Sequence, residues 1–137
     1  MTIRVHRGDL PDLTRYTGAV AIDTETMGLD PHRDRLCVVQ LSPGDGTADV
    51  VQIPAGVNAA PNLTRLLSDG AILKIFHFAR FDLGVLQERL AVMATPVYCT
   101  KIASRLARKV GSPTVTLSGR PAACSRAATL TASPITV

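Results

Sequence analysis

Two carboxylates, Asp23 and Glu25, stand two residues apart in the segment AIDTET, within a run that has the alternation of a β-strand. Side chains on a strand alternate between faces, so both carboxylates point to one face with Cα atoms roughly 6–7 Å apart. Oxygen ligands at this spacing suit hard cations such as Mg²⁺ or Mn²⁺, which also relieve the repulsion between the acids. Two solvated acids at a strand end explain the same pattern, so the motif alone leaves both interpretations open.

A third carboxylate, Asp82, lies in the first turn of a helix predicted over Arg80–Leu90. It falls on the apolar side of that helix, where a carboxylate is costly unless it is paired or bound to a metal. The alternatives to a metal are an ion pair with Arg80 or Arg89, or the favourable field of the helix N-terminus. Asp82 is therefore a candidate metal ligand whose partner the sequence leaves open.

Alternating apolar and β-branched residues predict the strands that must position these acids. Short polar turns separate the first three long strands, so we expect them to form an antiparallel meander. If the fourth long strand pairs beside the first, the three carboxylates meet at one end of the sheet. The predicted strands are Ala19–Glu25, Leu36–Ser42, Ala48–Ile53 and Ala71–Phe76, with short strands near Arg4–His6 and Pro96–Cys99.

Helical spacing of leucines predicts a helix over Asn62–Leu67, with Asn62 as its N-cap. Two further helices are predicted over Arg80–Leu90 and Thr100–Lys109. Hairpin-linked strands followed by alternating helices and strands predict an α/β domain with helices packed on a mixed sheet.

The composition limits the class of protein. A chain of 137 residues with 46% hydrophobic residues is long enough for one globular domain with a core. It has no apolar run near the roughly 18 residues of a membrane helix and no secretory signal, so we expect a cytoplasmic protein with no membrane partner. The three cysteines form no CxxC pair, which argues against a disulfide framework or a zinc site.

The net charge of +4 is unevenly distributed along the chain. Residues 1–88 hold 8 basic and all 11 acidic residues, whereas residues 89–137 hold 7 basic residues and no acid. A basic protein invites a nucleic-acid interpretation, but here the basicity belongs to the C-terminal third. It therefore gives little support for a basic surface on the body of the domain.

The two acid-bearing segments resemble the motifs of a known family. AIDTETMGL, residues 21–29, is similar to the first motif of the DEDD-type 3′→5′ exonucleases, and KIFHFARFDLGVL, residues 74–86, is similar to the second. The arrangement resembles ribonuclease D, especially its short forms, over residues 4–108. The resemblance implies an α/β ribonuclease H-like mixed sheet, an antiparallel meander followed by parallel strands, flanked by helices and lacking its C-terminal part.

The resemblance also implies a reaction and a set of site residues. Enzymes of this family hydrolyse RNA, or DNA, from the 3′ end, and use two divalent ions, Mg²⁺ or Mn²⁺, for phosphodiester cleavage. On this basis Asp23, Glu25 and Asp82 are the metal-binding and catalytic residues. The predicted substrate-binding residues are Thr26, Met27, Gly28, Leu29 and His77. Gly28 would allow the backbone to approach a ligand closely.

Two kinds of side chain near the second motif have alternative explanations. His77 serves either as a phosphate or base contact or as a structural hydrogen-bonding residue, and the structural role is the simpler one. Phe76, Phe78 and Phe81 could stack on bases, but helical and strand spacing places most of them in the core, which is the preferred interpretation.

The resemblance stops before the third motif of the family, which is a Tyr or His followed after three residues by the last acid. No Asp or Glu follows Glu88, the last Tyr is Tyr98 and the last His is His77. Residues 109–137 are rich in Ser, Thr, Ala and Pro and are predicted to be a disordered tail, which leaves residues 1–108 as an incomplete exonuclease domain. One hypothesis is a frameshift near codon 109, so that the tail is out-of-frame translation.

The missing motif has a functional consequence and leaves an alternative. A two-ion site without its fourth acid binds one ion more weakly, so we expect weak or absent exonuclease activity from this chain. The alternative is a non-catalytic nucleic-acid-binding or interaction module that retains the fold.

Overall fold

The computed structural model describes residues 2–109, which form six β-strands and three α-helices. The strands are β1 (Thr2–Arg7), β2 (Ala19–Thr26), β3 (Leu36–Ser42), β4 (Thr47–Gln52), β5 (Leu73–Phe76) and β6 (Val97–Cys99). The helices are α1 (Pro61–Ser68), α2 (Arg80–Leu90) and α3 (Thr100–Lys109). The predictions for the Ser/Thr/Ala/Pro-rich segment and for a frameshift concern residues that, apart from Lys109, lie outside the described range.

The strands form one mixed sheet in the order β1-β4-β3-β2-β5-β6. β2, β3 and β4 pair antiparallel, while β5 pairs parallel to β2 and β6 parallel to β5. This confirms the antiparallel meander followed by parallel strands, and it confirms that the fourth long strand lies beside the first. β1 adds a parallel edge strand next to β4.

The core lies between one face of the sheet and the helices α1 and α2. Both helices bury apolar residues at helical spacing, as their sequences predict. Truncating one of these leucines, for example Leu66→Ala, should cost about 2–5 kcal/mol of stability. The buried side chains include Leu63, Leu66 and Leu67 of α1, Val85, Leu86 and Leu90 of α2, and Val20, Ile22, Val39, Leu41, Val51 and Phe76 of the strands.

The N-terminus of α1 is capped from a distant loop. Asp9 accepts hydrogen bonds from the backbone N–H groups of Asn62 and Leu63, both at 2.8 Å. The prediction that Asn62 is the N-cap is therefore wrong, because the helix starts at Pro61 and Ala60 occupies the cap position. A carboxylate placed 53 residues earlier satisfies the free N–H groups instead.

A buried lysine fixes the start of β5. The Lys74 side chain is fully buried, and its ammonium donates to the carbonyl oxygens of Ile72 at 2.8 Å, Thr95 at 2.7 Å and Asp69. Burial lowers the pKa of this ammonium. The three carbonyls tie the loop after α1 to the segment before β6, and so hold the strand that lies beside β2.

α3 follows β6 and packs on it lightly. None of its residues is buried, and Ile102 and Leu106 are 56% and 59% exposed. Within residues 2–109, no helix combines the length and the apolar character that a membrane span requires.

Candidate active site

Strand β2 presents two acids on one face and a threonine on the other. Asp23 and Glu25 are exposed, whereas Thr24 between them is buried, as strand alternation predicts. The pairing of β2 with β3 is irregular between Glu25 and Thr26, where the register shifts. Such bulges commonly re-aim side chains next to active sites. The end of β2 is thus a strand terminus that carries two exposed carboxylates, one of which, Asp23, accepts a long hydrogen bond of 3.5 Å from the Gln40 amide.

Asp82 reaches this strand from α2. It is 5% exposed, and its Oδ1 accepts hydrogen bonds from the Thr24 hydroxyl at 2.7 Å and the Thr24 backbone N–H at 3.1 Å. Arg89 does not pair with it, since that guanidinium donates to the backbone oxygens of His32 at 2.9 Å and Asp34 at 3.2 Å. The second-motif acid is therefore fixed to the first-motif strand rather than to an arginine.

The electrostatics of Asp82 reflect this position. Burial raises the pKa of the Asp82 carboxyl, and the negative charge of Asp23 raises it further, while the hydrogen bonds from Thr24 act in the opposite direction. Asp23 and Asp82 are therefore close enough to repel each other. A cation near both carboxylates would relieve the repulsion and the cost of burial together.

The three acids are not assembled as a finished metal site. Among residues 2–109 there is no group of three His, Cys, Asp or Glu side chains already arranged to hold an ion. The contacts bring Asp82 to Thr24 and into electrostatic range of Asp23, whereas Glu25 has no hydrogen bond to either acid. Ligation by Asp23, Glu25 and Asp82 thus stays a prediction.

The turn after β2 presents two exposed apolar side chains. Met27 is 70% exposed and Leu29 is 85% exposed. The Thr26 hydroxyl donates to the carbonyl of Gly28, and the Met27 N–H donates to the carbonyl oxygen of Arg35 at 3.1 Å. Large apolar groups held by a fixed backbone beside two carboxylates can contact a base or sugar. Binding of substrate by these residues and by Gly28 remains a prediction.

Gly28 has an internal reason to be glycine. A Cβ atom at this position would overlap the carboxylate of Asp34. That carboxylate forms a two-point ion pair with Arg33, at 2.8 Å for each contact, and accepts the Asp30 N–H at 3.1 Å. The close approach that requires glycine is therefore made by the loop itself, in addition to any approach by a ligand.

His77 makes the structural hydrogen bond that the sequence favoured. It is exposed, and its Nδ1 lies 2.9 Å from the hydroxyl oxygen of Thr100. Because that hydroxyl can donate to the carbonyl of Phe76 at 3.3 Å, its oxygen is free to accept from Nδ1–H. Nε2 is then the ring atom left for a substrate, so the two proposed roles are compatible.

The core assignment of the phenylalanines is correct for two of the three. Phe76 is 1% exposed and Phe81 packs partly buried against the core. Phe78 is 47% exposed, has a φ of 64° and carries the Lys101 ammonium 3.8 Å from its ring centroid. The prediction fails there because β5 ends at Phe76, and the chain turns before α2, so strand alternation no longer applies.

Sequence reasoning missed Thr24 as a member of this site. The available signal was a hydroxyl on the face of the strand that points into the core, where a buried polar group requires a hydrogen-bond partner. The partner could not be read from the sequence, because Asp82 lies 58 residues further along the chain.

The fold and the acid-bearing strand define a class of protein, the ribonuclease H-like nucleases with a carboxylate pair on the first strand of the meander. A family model described as 3'-5' exonuclease matches residues 10–117, and the chain belongs to this family. The match extends past residue 108, where we placed the end of the resemblance; the domain bounds themselves stay a prediction.

The curated proteins that are similar in sequence to this chain are ribonucleases D. Ribonuclease D of Granulibacter bethesdensis is 34% identical over 88 residues, which cover 64% of this chain and 22% of the relative. Ribonuclease D of Nitrobacter hamburgensis is 29% identical over 85 residues, which cover 62% and 22%. The chain thus spans 22% of the length of these curated relatives.

Solved structures give the same family. Brucella melitensis NrnC is 67% identical with a TM-score of 0.78, over 80% of this chain and 54% of that one. NrnC with bound Mg²⁺ is 51% identical over 95% and 74%, with a TM-score of 0.77. A further NrnC structure is bound to pGG. Escherichia coli RNase D, 24% identical with a TM-score of 0.57, shares the fold. The ribonuclease H-like exonuclease fold is confirmed.

Proposed function

We propose that this chain carries a 3′→5′ exoribonuclease site of the ribonuclease D type, with Asp23, Glu25 and Asp82 as its acidic residues. The observation that carries the proposal is the position of Asp82. This carboxylate is buried, bonded to the strand residue between the other two acids, and repelled by Asp23. A buried acid that has no basic partner costs stability, so a role in binding a cation explains its presence better than a role in stabilising the fold.

The donor set fits Mg²⁺ or Mn²⁺. Carboxylate oxygens are the ligands that these hard cations prefer, whereas zinc and copper favour nitrogen and sulfur. Asp23 and Glu25 are exposed on one face of β2, and Asp82 has one oxygen outside its bonds to Thr24. NrnC has been solved with bound Mg²⁺, which supports the same choice for this chain.

The proposed roles follow from these positions. Divalent ions, two in the intact family site, supply the charge and Lewis acidity for phosphodiester hydrolysis when they are bound. Asp23, Glu25 and Asp82 hold them at the end of β2. Met27 and Leu29 contact the terminal nucleotide through apolar surface, and His77 offers Nε2 to a phosphate.

RNA is the proposed substrate, acted on from its 3′ end. The support is the ribonuclease D relatives and the NrnC structure bound to pGG. DNA is the competing substrate, and a side-by-side comparison of matched RNA and DNA oligonucleotides distinguishes the two. We propose a role in RNA processing in the cytoplasm, and cell fractionation tests the location.

We further propose that turnover by this chain is weak or absent. The family's third motif requires an acid beyond the second motif, and no Asp or Glu follows Glu88. Three acids can bind an ion and a phosphate, but they bind a second ion less tightly and leave the attacking water without its orienting residue. The same observation favours the alternative function, a non-catalytic nucleic-acid-binding module.

The proposal is tested in the full 137-residue chain by two measurements. Mn²⁺ binding is measured by electron paramagnetic resonance for the unmodified protein, Asp23→Ala and Asp82→Ala. Release of nucleotides from the 3′ end is measured as stepwise shortening of 5′-labelled RNA in Mg²⁺ and in Mn²⁺. Asp12→Ala is the matched control, because Asp12 is an exposed aspartate whose carboxylate, among residues 2–109, bonds only to Thr14.

We expect Mn²⁺ binding that both active-site variants weaken by at least about tenfold and the control retains, with slow or undetectable release of nucleotides. Efficient metal-dependent release, abolished in Asp23→Ala, would support the exonuclease and contradict its impairment. Metal-dependent RNA binding without release would favour the binding module. Absence of Mn²⁺ binding in the unmodified protein would overturn the metal-site proposal.

A further inference from the structure

Thr24 holds Asp82 with two donors aimed at a single oxygen. Its hydroxyl at 2.7 Å and its backbone N–H at 3.1 Å both donate to Oδ1, and both bonds are buried. Within residues 2–109, the other oxygen, Oδ2, accepts no hydrogen bond from another residue, and it is not among the fully buried polar atoms left without a partner. One half of the carboxylate is thus fixed, and the other half is open to a ligand.

The same two-donor pattern occurs at two other places, where it has a local explanation. Thr14 donates its N–H and hydroxyl to Oδ1 of Asp12, and Thr47 does the same to Asp45, in each case across two residues and at the surface. Those pairs are turns in which a side chain mimics the backbone. The bond between Thr24 and Asp82 joins β2 to α2 across 58 residues and therefore fixes tertiary position.

The sheet topology explains why this N–H is available. β5 pairs with β2 only as far as Ala21, so the parallel ladder ends before Thr24 is reached. Asp82 supplies the acceptor for the Thr24 N–H beyond the end of that ladder. The position of the second-motif acid is consequently set by the backbone segment that carries Asp23 and Glu25.

We propose that Thr24 is a positioning residue that orients Asp82 so that Oδ2 faces the divalent ion shared with Asp23. The inference rests on the proposed function, and it assigns a role to the one residue between the two first-motif acids. A carboxylate gripped through one oxygen by two donors has little freedom to rotate about its Cβ–Cγ bond. Without the hydroxyl, only the bond from the Thr24 backbone N–H remains, and the Asp82 carboxylate can rotate so that Oδ2 no longer keeps one position.

Substitution of the hydroxyl tests this role in the full chain at one fixed pH. Thr24→Val keeps the branched shape and the backbone N–H but removes the hydroxyl donor, whereas Thr24→Ser keeps both donors. We expect Thr24→Val to weaken Mn²⁺ binding by about 10- to 100-fold, as is typical for partners of metal ligands, and Thr24→Ser to bind within about twofold of the unmodified protein.

Two controls separate positioning from a general effect on folding. Thr14→Val removes the hydroxyl donor from the same kind of two-donor contact at the surface and should leave Mn²⁺ binding unchanged. In an Asp82→Ala background, Thr24→Val should cause no further loss, because its effect acts through that carboxylate. Circular dichroism melting checks the fold of each variant, and Thr24→Ala serves as a second hydroxyl-deleting variant if the valine variant does not fold.

The outcomes distinguish this inference from the proposed function. Normal Mn²⁺ binding by folded Thr24→Val or Thr24→Ala would overturn the role of Thr24 and leave the metal site standing. An equal loss in the Asp82→Ala background would also overturn it. Failure of the unmodified protein to bind Mn²⁺ would overturn the proposed function and this inference together.

Discussion

Asp49 and Asp82 are the two buried acids of the described chain, 2% and 5% exposed, and they are satisfied in opposite ways. Both oxygens of Asp49 are occupied, Oδ1 by His6 at 2.9 Å and Oδ2 by Arg15 at 2.7 Å and the Tyr16 hydroxyl at 2.6 Å. Among the described residues, the bonds that other residues make to Asp82 all go to Oδ1. Burial alone therefore does not indicate function. A buried carboxylate with one oxygen that no other residue hydrogen-bonds does indicate a candidate ligand site.

The pKa values of the two acids shift in opposite directions for this reason. Burial acts to raise the pKa of Asp49, but the hydrogen bonds from Tyr16 and His6 and the charge of Arg15 outweigh burial and lower it. For Asp82, burial outweighs the bonds from Thr24 and the pKa is raised. The Asp49 carboxylate is stabilised as an anion by its neighbours, whereas the Asp82 carboxylate lacks a counter-charge among the described residues.

The largest expected difference between the two acids is in stability. Asp49→Ala leaves three buried or half-buried donors without their acceptor and should lower the free energy of unfolding by about 3–5 kcal/mol. Asp82→Ala leaves the two buried donors of Thr24 without their acceptor. It also removes a charge that burial disfavours, so it should lower the free energy of unfolding by less, about 1–2 kcal/mol. Urea unfolding followed by circular dichroism measures both, and equal losses would remove the distinction between a structural and a functional buried acid.

Tyr16→Phe sharpens the structural side of the comparison. The substitution keeps the buried ring and removes only the hydroxyl that donates to Asp49. A hydrogen bond to a charged group contributes about 1.5–3 kcal/mol, so the free energy of unfolding should fall by that amount. In an Asp49→Ala background the same change should cost much less, and a full additional loss there would indicate that the hydroxyl acts independently of this carboxylate.

Metal binding should show the reverse order of importance. Asp82→Ala should weaken Mn²⁺ binding by at least tenfold, about 1.4 kcal/mol, whereas Asp49→Asn should change it by less than about twofold. Isothermal titration of the folded proteins measures both constants. A loss in Asp49→Asn as large as that in Asp82→Ala would mean that the buried network at the β1 edge is coupled to the site.

The sequence predicted the elements better than the contacts between them. Alternation and turn length place β2, β3 and β4 and their antiparallel order, because these signals are local. The capping of α1 by Asp9 and the bond between Thr24 and Asp82 join residues more than 50 positions apart, and no local pattern encodes them. Asp49 passed unnoticed because a single acid in an otherwise alternating strand looks like an exposed residue.

The need for a long-range hydrogen-bond partner can nevertheless be predicted where a polar residue lies on the buried face of a strand. Asp49 and Val51 share a phase of β4, and Val51 is fully buried, so an acid on the same phase must find donors. The same argument applies to Thr24, which shares a phase of β2 with Ile22. In both strands, the polar residue on the buried face is the one that indicates a tertiary contact.

The smallest expected effect is the pH dependence of stability, and its sign differs between the two acids. The pKa of Asp49 is lowered in the folded state, so its stabilising contribution is fully present above the ordinary pKa of aspartate, near 3.9, and is lost as pH falls through the folded-state pKa. The pKa of Asp82 is raised, so its contribution is present below that ordinary value and is lost as pH rises through the folded-state pKa.

Unfolding free energies measured from about pH 2.5 to 5, below the range in which an ordinary imidazole changes its charge, and without divalent ions, test this difference with isosteric amides. The stability of the unmodified protein relative to Asp49→Asn should increase as pH rises, and its stability relative to Asp82→Asn should decrease. Arg15 stays protonated throughout this range and cannot produce the first trend by itself. If both differences changed in the same direction, the contrast between a fully paired and a half-paired carboxylate would be wrong, because the neighbours of Asp82 would then be stabilising its charge as those of Asp49 do.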